Sequence, residues 1–146
     1  MARYVTKVRT PWSPEQAFAY MADLRNFAAW DPGVREVVQQ VGEGGGSNGV
    51  FDVTIKSTPK DLVLTYRTVR FDPPGVVRAV AENRFLVSDD TIRVTPDGDG
   101  SLVEYDAELS LKGVLGVADL GLRLVFGRIG DRAAAGLRTA LEGVEA

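Results

Sequence analysis

The segment "SDDTIRVTPDGDGSLVEYDAELSLKG", Ser88 to Gly113, decides the fold class of this chain. Its second half alternates cleanly: the acidic residues Glu104, Asp106 and Glu108 face one way, and the apolar or aromatic residues between and beside them, Val103 to Leu109, face the other. This alternation is typical of a half-buried β-strand. The sequence DGDG that joins the two halves, residues 97–100, is a strong hairpin signal. The segment therefore predicts two long antiparallel strands that share one apolar face.

The same alternation recurs along the chain upstream of this hairpin, in segments separated by short turn sequences. Short hairpin loops connect only antiparallel neighbours, so we expect the last six strands to form an antiparallel sheet. One further strand precedes them at the start of the chain. The seven predicted strands cover residues 3–10, 34–41, 50–57, 61–71, 76–82, 84–96 and 101–113.

Two short helices are predicted between the first and second strands. In "SPEQAFAYMADL", Ser13 is a favourable N-cap, Pro14 suits the first helical position, and Gln16 completes a capping box. Apolar residues then recur at helical spacing. The stretch from Asn26 to Trp30 is predicted to add one more helical turn.

From Val114 to about Leu141 the apolar residues recur three or four apart, which predicts one long helix, or two with a bend. Each interior glycine destabilises a helix by about 1 kcal/mol relative to alanine, so their number indicates a bend or a need for space beneath the helix. The glycines are Gly116, Gly121, Gly127, Gly130 and Gly136. The predicted class is α+β: a seven-stranded curved antiparallel sheet wrapped around the C-terminal helix, with a cavity between them.

Composition excludes several kinds of site. The 146 residues suit one domain, residues 1–146, and contain neither cysteine nor histidine. A Ser-His-Asp triad, a thiolate nucleophile and a zinc-thiolate site are therefore impossible, and we expect no metal and no cofactor. With a net charge of −3, no nucleic-acid partner is expected. No apolar run approaches the roughly 18 residues that span a bilayer.

The start "MARYVTKVRT" lacks the apolar segment of a signal peptide, which predicts a cytoplasmic protein without stable membrane insertion. The sequence does not determine the oligomeric state, and both a monomer and a homodimer stay open.

Asp31, in the stretch "WDPGV", has two interpretations. Pro32 disfavours a helical Asp31 and Gly33 permits an unusual backbone angle, which favours a turn that ends the second short helix. The alternative is an acid at the mouth of the cavity. In the turn interpretation, Trp30 packs under the short helices or lines the cavity entrance.

The chain resembles the START-like (SRPBCC) superfamily, in its polyketide cyclase/dehydrase branch. The resemblance rests on "SPEQAFAYMADLRNFAAWDPGV", on the hairpin segment quoted above and on the long final helix. It implies a helix-grip fold with a hydrophobic tunnel between sheet and helix. It also implies binding of lipids, sterols, polyketides or isoprenoid quinones, and in some members cyclisation or dehydration of a polyketide.

Asp90 is the candidate catalytic residue, because Thr91 and Arg93 point outward if the strand is regular. A carboxyl group on an apolar face has a raised pKa, and it could act as a general base. Tyr66 or Tyr105 would then donate a hydrogen bond to an enolate oxygen. The alternative is structural: Asp90 pairs with Arg84 or lies at a bulge that faces solvent. The candidate ligand-binding residues are Phe18, Trp30, Val53, Ile55, Leu64, Tyr66, Ile92, Val103, Tyr105, Leu122, Val125 and Phe126.

Three functions follow from this sequence. The first is binding of a hydrophobic small molecule in the cavity, since most of the inward residues are apolar. The second is a polyketide cyclase or dehydratase that uses Asp and Tyr. The third is a protein-interaction module whose partner inserts an apolar segment into the groove.

Overall fold

The computed structural model describes residues 1–57, 59–112 and 119–146, without the side chains of residues 119–124. Within these residues the chain forms eight strands, three α-helices and one 3₁₀ turn. The strands are β1 Ala2–Thr10, β2 Val34–Val41, β3 Val50–Ile55, β4 Leu62–Asp72, β5 Val76–Glu82, β6 Leu86–Asp97, β7 Gly100–Leu111 and β8 Val144–Glu145. The helices are α1 Pro14–Ala22, α2 Phe27–Trp30 and α3 Asp119–Ala140, with the 3₁₀ turn at Leu24–Asn26.

The strands form one antiparallel sheet in the order β2-β3-β4-β5-β6-β7-β1-β8. The hairpins place β2 to β7 side by side, and β1 lies along β7 with Ala2 opposite Leu109 and Thr10 opposite Ser101. The predicted α+β class, the seven strands and their order along the chain are confirmed. The eighth strand was not predicted, because two residues are too short to show an alternation.

Helix α1 begins as its sequence predicts. The backbone N–H of Gln16 donates to Ser13 Oγ at 3.2 Å, and the backbone N–H of Ser13 donates to Gln16 Oε1 at 3.2 Å. Phe18 and Met21 on its inner side are buried. The capping box therefore fixes the start of the helix, and the apolar stripe fixes the side that packs on the sheet.

Helix α3 packs against β1 and α2. Leu137 and Leu141 are fully buried. A Cβ atom at Gly130 would overlap the ring of Tyr4, and one at Gly136 would overlap the carbonyl oxygen of Trp30. The predicted need for space beneath the helix is thus confirmed at these two glycines. The predicted start at Val114, and Gly116, lie outside the described residues.

The inner face of the sheet is packed solid at one end of the strands. There β3, β5 and β7 begin, and Phe51, Val77 and Val103 are buried. Helix α1 closes this end, and the ring of Phe18 lies 5.4 Å from that of Phe71. Space between sheet and α3 is found at the opposite end, where β4 and β6 begin and β3 and β7 end.

Candidate functional site

A cavity of about 190 Å³ lies between helix α3 and the end of the sheet where β4 and β6 begin. Its wall is mainly apolar, and the polar side chains in it are few. The apolar lining residues are Val34, Ile55, Leu62, Leu64, Leu86, Ala107, Leu109, Phe126 and Ile129, and the polar ones are Asp31, Tyr66, Ser88, Asp90 and Tyr105. An apolar wall with a few convergent polar groups is the usual composition of a small-molecule site.

The sheet brings four of the polar side chains together in one cluster. Ser88 and Asp90 alternate along β6 and therefore share the inner face. The hydroxyl of Tyr105 donates to Asp90 Oδ2 at 2.5 Å. The hydroxyls of Tyr66 and Ser88 lie 2.6 Å apart, with either atom able to donate. Two phenol groups thus converge on one short stretch of β6.

Asp90 is buried, and this burial is the main reason that its pKa is raised to about 7. The hydrogen bonds from Tyr105 and Ser88 lower the pKa of Asp90, whereas the negative charges of Asp89 and Asp31 raise it. At neutral pH both the protonated and the ionised form of this carboxyl group are therefore populated, as a general acid or base requires.

Asp90 shows neither of the two structural arrangements that the sequence left open, a bulge or a pairing with Arg84. Strand β6 pairs in regular register on both sides, with Asp90 opposite Ala79 on β5 and Ala107 on β7, so there is no bulge at this position. The guanidinium group of Arg84 lies over the ring of Phe85, 4.7 Å from its centroid.

Burial raises the pKa of Tyr66 and of Tyr105 well above the ordinary value of 10.0, and the charge of Asp90 adds to this effect. Both hydroxyls therefore stay protonated at neutral pH and can donate hydrogen bonds. The ring of Trp30 packs edge-on against Tyr105 at 5.4 Å and against Phe27 at 5.1 Å, which holds the Tyr105 ring in place.

Asp31 combines the two interpretations of its sequence. The backbone N–H of Gly33 donates to Asp31 Oδ1 at 2.8 Å, which is the predicted turn. The same residue also lines the cavity. Burial raises the pKa of Asp31, opposed by the hydrogen bond from Gly33 and by the charge of Lys56. A second carboxyl group therefore faces the cavity beside the Asp90 cluster.

The comparison with protein families identifies the chain. The family described as "Polyketide cyclase / dehydrase and lipid transport" matches residues 1–142. The chain belongs to this family. A comparison with curated proteins found no relative.

Solved structures share the fold of this polyketide cyclase/dehydrase family member at low sequence identity. The protein TTHA0849 from Thermus thermophilus superposes with a TM-score of 0.77 at 15% identity, over 95% of this chain and 96% of that one. A START superfamily protein from Mycobacterium smegmatis gives a TM-score of 0.78 at 13% identity, over 97% and 98%. The di-domain ARO/CYC StfQ from the steffimycin biosynthetic pathway gives 0.69 at 13% identity, over 97% of this chain and 50% of that one. These structures confirm the predicted helix-grip class, and together with the family match they bear out the predicted START-like resemblance.

In this family member, the structure brings six of the predicted site residues together around the cavity. They are Ile55, Leu64, Tyr66, Asp90, Tyr105 and Phe126. Five others are buried but do not line it, namely Phe18, Trp30, Val53, Ile92 and Val103. Alternation predicts the face on which a strand residue lies, and it does not predict which end of the strand meets the cavity.

The two remaining residues lie on α3. Val125 is 54% exposed and is not part of the cavity wall. Leu122 lies in the helix, but its side chain is outside the described residues. Several lining residues near strand ends were not predicted, namely Leu62, Leu86, Ser88 and Leu109. The alternation continues along β4, β6 and β7 to these positions, and it was the available signal for them.

No helix in the described part of the chain is long and apolar enough to cross a membrane. The described residues also contain no group of three or more acidic side chains placed to hold a metal ion.

Proposed function

We propose that residues 1–146 act as one binding domain for a hydrophobic small molecule, held in the cavity between the sheet and α3. The observation that carries this proposal is the composition of the cavity wall: apolar side chains surround the Asp90 cluster, which can orient a polar group of the ligand. Membership of a family described by polyketide cyclisation and lipid transport supports the same class of ligand.

The test is binding of N-phenyl-1-naphthylamine, an uncharged probe whose fluorescence rises in apolar surroundings. We expect saturable binding to the wild-type protein. Ala107→Leu adds side-chain volume at the cavity wall and should weaken binding by about tenfold, which corresponds to about 1.4 kcal/mol. Thermal unfolding of the variant shows whether it is folded.

A substitution on the protein surface is the control that separates binding in the cavity from binding elsewhere. Val125→Leu also enlarges a side chain, but at an exposed position of α3. Equal affinity of wild type, A107L and V125L, with both variants folded, would contradict cavity binding.

A second candidate function is cyclisation or dehydration of a polyketide-like substrate. The observation in its favour is the 2.5 Å hydrogen bond from Tyr105 to Asp90 inside the cavity. The Asp90 carboxylate would accept a proton from the carbon beside a carbonyl group, and the hydroxyl of Tyr66 would donate a hydrogen bond to the resulting enolate oxygen.

The test of this second candidate compares turnover with binding. With a cyclisable polyketone as substrate, Asp90→Asn should lose turnover by at least about a hundredfold and retain probe binding. Turnover by D90N at the wild-type rate would remove Asp90 from the chemistry.

A further inference from the structure

We infer that the ligand is a hydrophobic amine, whose protonated nitrogen lies beside the carboxyl groups of Asp31 and Asp90 while its apolar part occupies the rest of the cavity. This inference rests on the proposed function and specifies the class of ligand.

The charges of the cavity wall carry the argument. Two carboxyl groups and three hydroxyl groups line the cavity, and no lysine or arginine is among the lining residues that the structure describes. Asp31 lies near enough for its negative charge to act on Asp90, Tyr66 and Tyr105. The polar part of the cavity can therefore become negative and contains no compensating positive charge among its described residues.

Among the described residues, the charged groups around these carboxyls compensate Asp31 only in part and Asp90 not at all. Asp90 receives hydrogen bonds from hydroxyl groups, and its neighbour Asp89 points to the outer face, where Arg78 binds it at 2.6 Å. Asp31 receives a backbone N–H, and Lys56 lowers its pKa. Lys56 is exposed and lies with Arg132 in an outer groove that Asp31 also lines, whereas neither cation lines the cavity.

Burial without a nearby cation disfavours the ionised form of a carboxyl group, because desolvation penalises its charge. A protonated amine would remove this penalty and would form charge-assisted N–H hydrogen bonds to the carboxylate oxygens. The hydroxyls of Tyr66, Ser88 and Tyr105 can also accept a hydrogen bond from nitrogen. A neutral ligand gains only the hydrogen bonds, and an anionic ligand would add a further negative charge beside two carboxyl groups.

The experiment uses three ligands with the same ring system: 1-naphthylmethylamine, 1-naphthylmethanol and 1-naphthoic acid. Binding is measured by isothermal titration calorimetry at pH 7 to the full chain. We expect the amine to bind at least about tenfold more tightly than the alcohol, and the acid to bind most weakly. In Asp90→Asn, and to a smaller extent in Asp31→Asn, the ratio of the amine affinity to the alcohol affinity should fall towards one.

Proton release gives an independent readout. Bound amine favours the ionised form of Asp90, whose pKa in the free protein is about 7. Binding at pH 6 should therefore release close to one proton, and release should be smaller at pH 8. Titrations in two buffers of different ionisation enthalpy measure this number, which should fall to near zero in D90N.

The outcomes separate this inference from the proposed function. Equal binding of the alcohol and the amine would agree with hydrophobic binding but contradict the inference that the ligand is an amine. Tighter binding of the acid would also overturn it, and loss of that preference in Arg123→Gln would assign the countercharge to an α3 residue whose side chain is not described. Failure of all three compounds to bind would contradict both proposals.

Discussion

The hydroxyl of Tyr105 and the carboxyl group of Asp90 lie 2.5 Å apart in the cavity wall, on neighbouring strands β7 and β6. Two opposing effects meet at this contact. Burial favours the neutral carboxyl group, and the hydrogen bond from Tyr105 favours the ionised one. Because burial is the larger effect, the pKa of Asp90 stays raised, at about 7.

Replacing Tyr105 by Phe should raise the pKa of Asp90 further, because it removes the hydrogen bond that favours the carboxylate. The measurement is a ¹³C NMR titration of the aspartate side-chain carboxyl signals between pH 4 and pH 9. Tyr20→Phe is the control, because Tyr20 packs on Trp12 and lies outside the cavity wall. A pKa of Asp90 that falls in Y105F, or that moves equally in Y20F, would show that the hydrogen bond does not act in this way.

Asp90→Asn should stabilise the fold increasingly as the pH rises. An unfolded aspartate ionises near pH 3.9, but Asp90 in the fold ionises at about 7, so between these values the native state binds more protons. The contribution of Asp90 to the free energy of unfolding therefore falls from about pH 4 to about pH 7 and is constant above. In urea unfolding, the free energy of unfolding of D90N minus that of wild type should be roughly 2–4 kcal/mol higher at pH 8 than at pH 4.

The comparison is internal, because each pH value has its own wild-type control. A stability difference that is flat from pH 4 to pH 8 would mean that Asp90 ionises in the fold as it does in the unfolded chain. A similar curve for Asp89→Asn would show that the effect is not specific to the cavity, since Asp89 lies on the outer face beside Arg78.

Local sequence patterns predicted the face of each strand and therefore placed Asp90, Tyr66 and Tyr105 together. Period-two alternation is a property of the strand itself, so it can be read without knowledge of the fold. The position of the cavity along the strands depends on where α1 and α3 cover the sheet. That is why Ile92 and Val103, on the correct face, lie in the packed half and not in the cavity wall.

Asp31 shows a further limit of local rules. Its turn was predicted from Pro32 and Gly33, and the hydrogen bond from the Gly33 N–H confirms it. Its place in the cavity wall depends on the long-range approach of this turn to β4, β6 and α3. No neighbouring residue in the sequence signals that approach.

Phe126→Ala should weaken binding of the uncharged probe by roughly three- to tenfold, because its ring lines the cavity and would lose apolar contact with the ligand. The adjacent substitution Val125→Ala is the matched control, since Val125 is exposed on the same helix. Fluorescence titration measures both. Equal losses in the two variants, or a larger loss in V125A, would place the ligand outside this cavity.

Two glycines of α3 should respond in opposite ways to the same substitution. Alanine in a helix interior is favoured over glycine by about 1 kcal/mol, and a Cβ atom at Gly127 would meet nothing within 4 Å beyond the adjoining residues and backbone of its own helix. Gly127→Ala should therefore raise the free energy of unfolding by up to about 1 kcal/mol. At Gly136 the Cβ atom would overlap the backbone carbonyl oxygen of Trp30, so α2 and α3 must separate.

Gly136→Ala should accordingly lower the free energy of unfolding by about 1–3 kcal/mol, measured by urea unfolding at pH 7. It should also weaken probe binding, because α2 carries Trp30, whose ring supports Tyr105, and leads into Asp31 at the cavity wall. Gly127→Ala should leave probe binding unchanged. If G136A is as stable as G127A and binds the probe normally, the close contact between α2 and α3 does not hold the site in place.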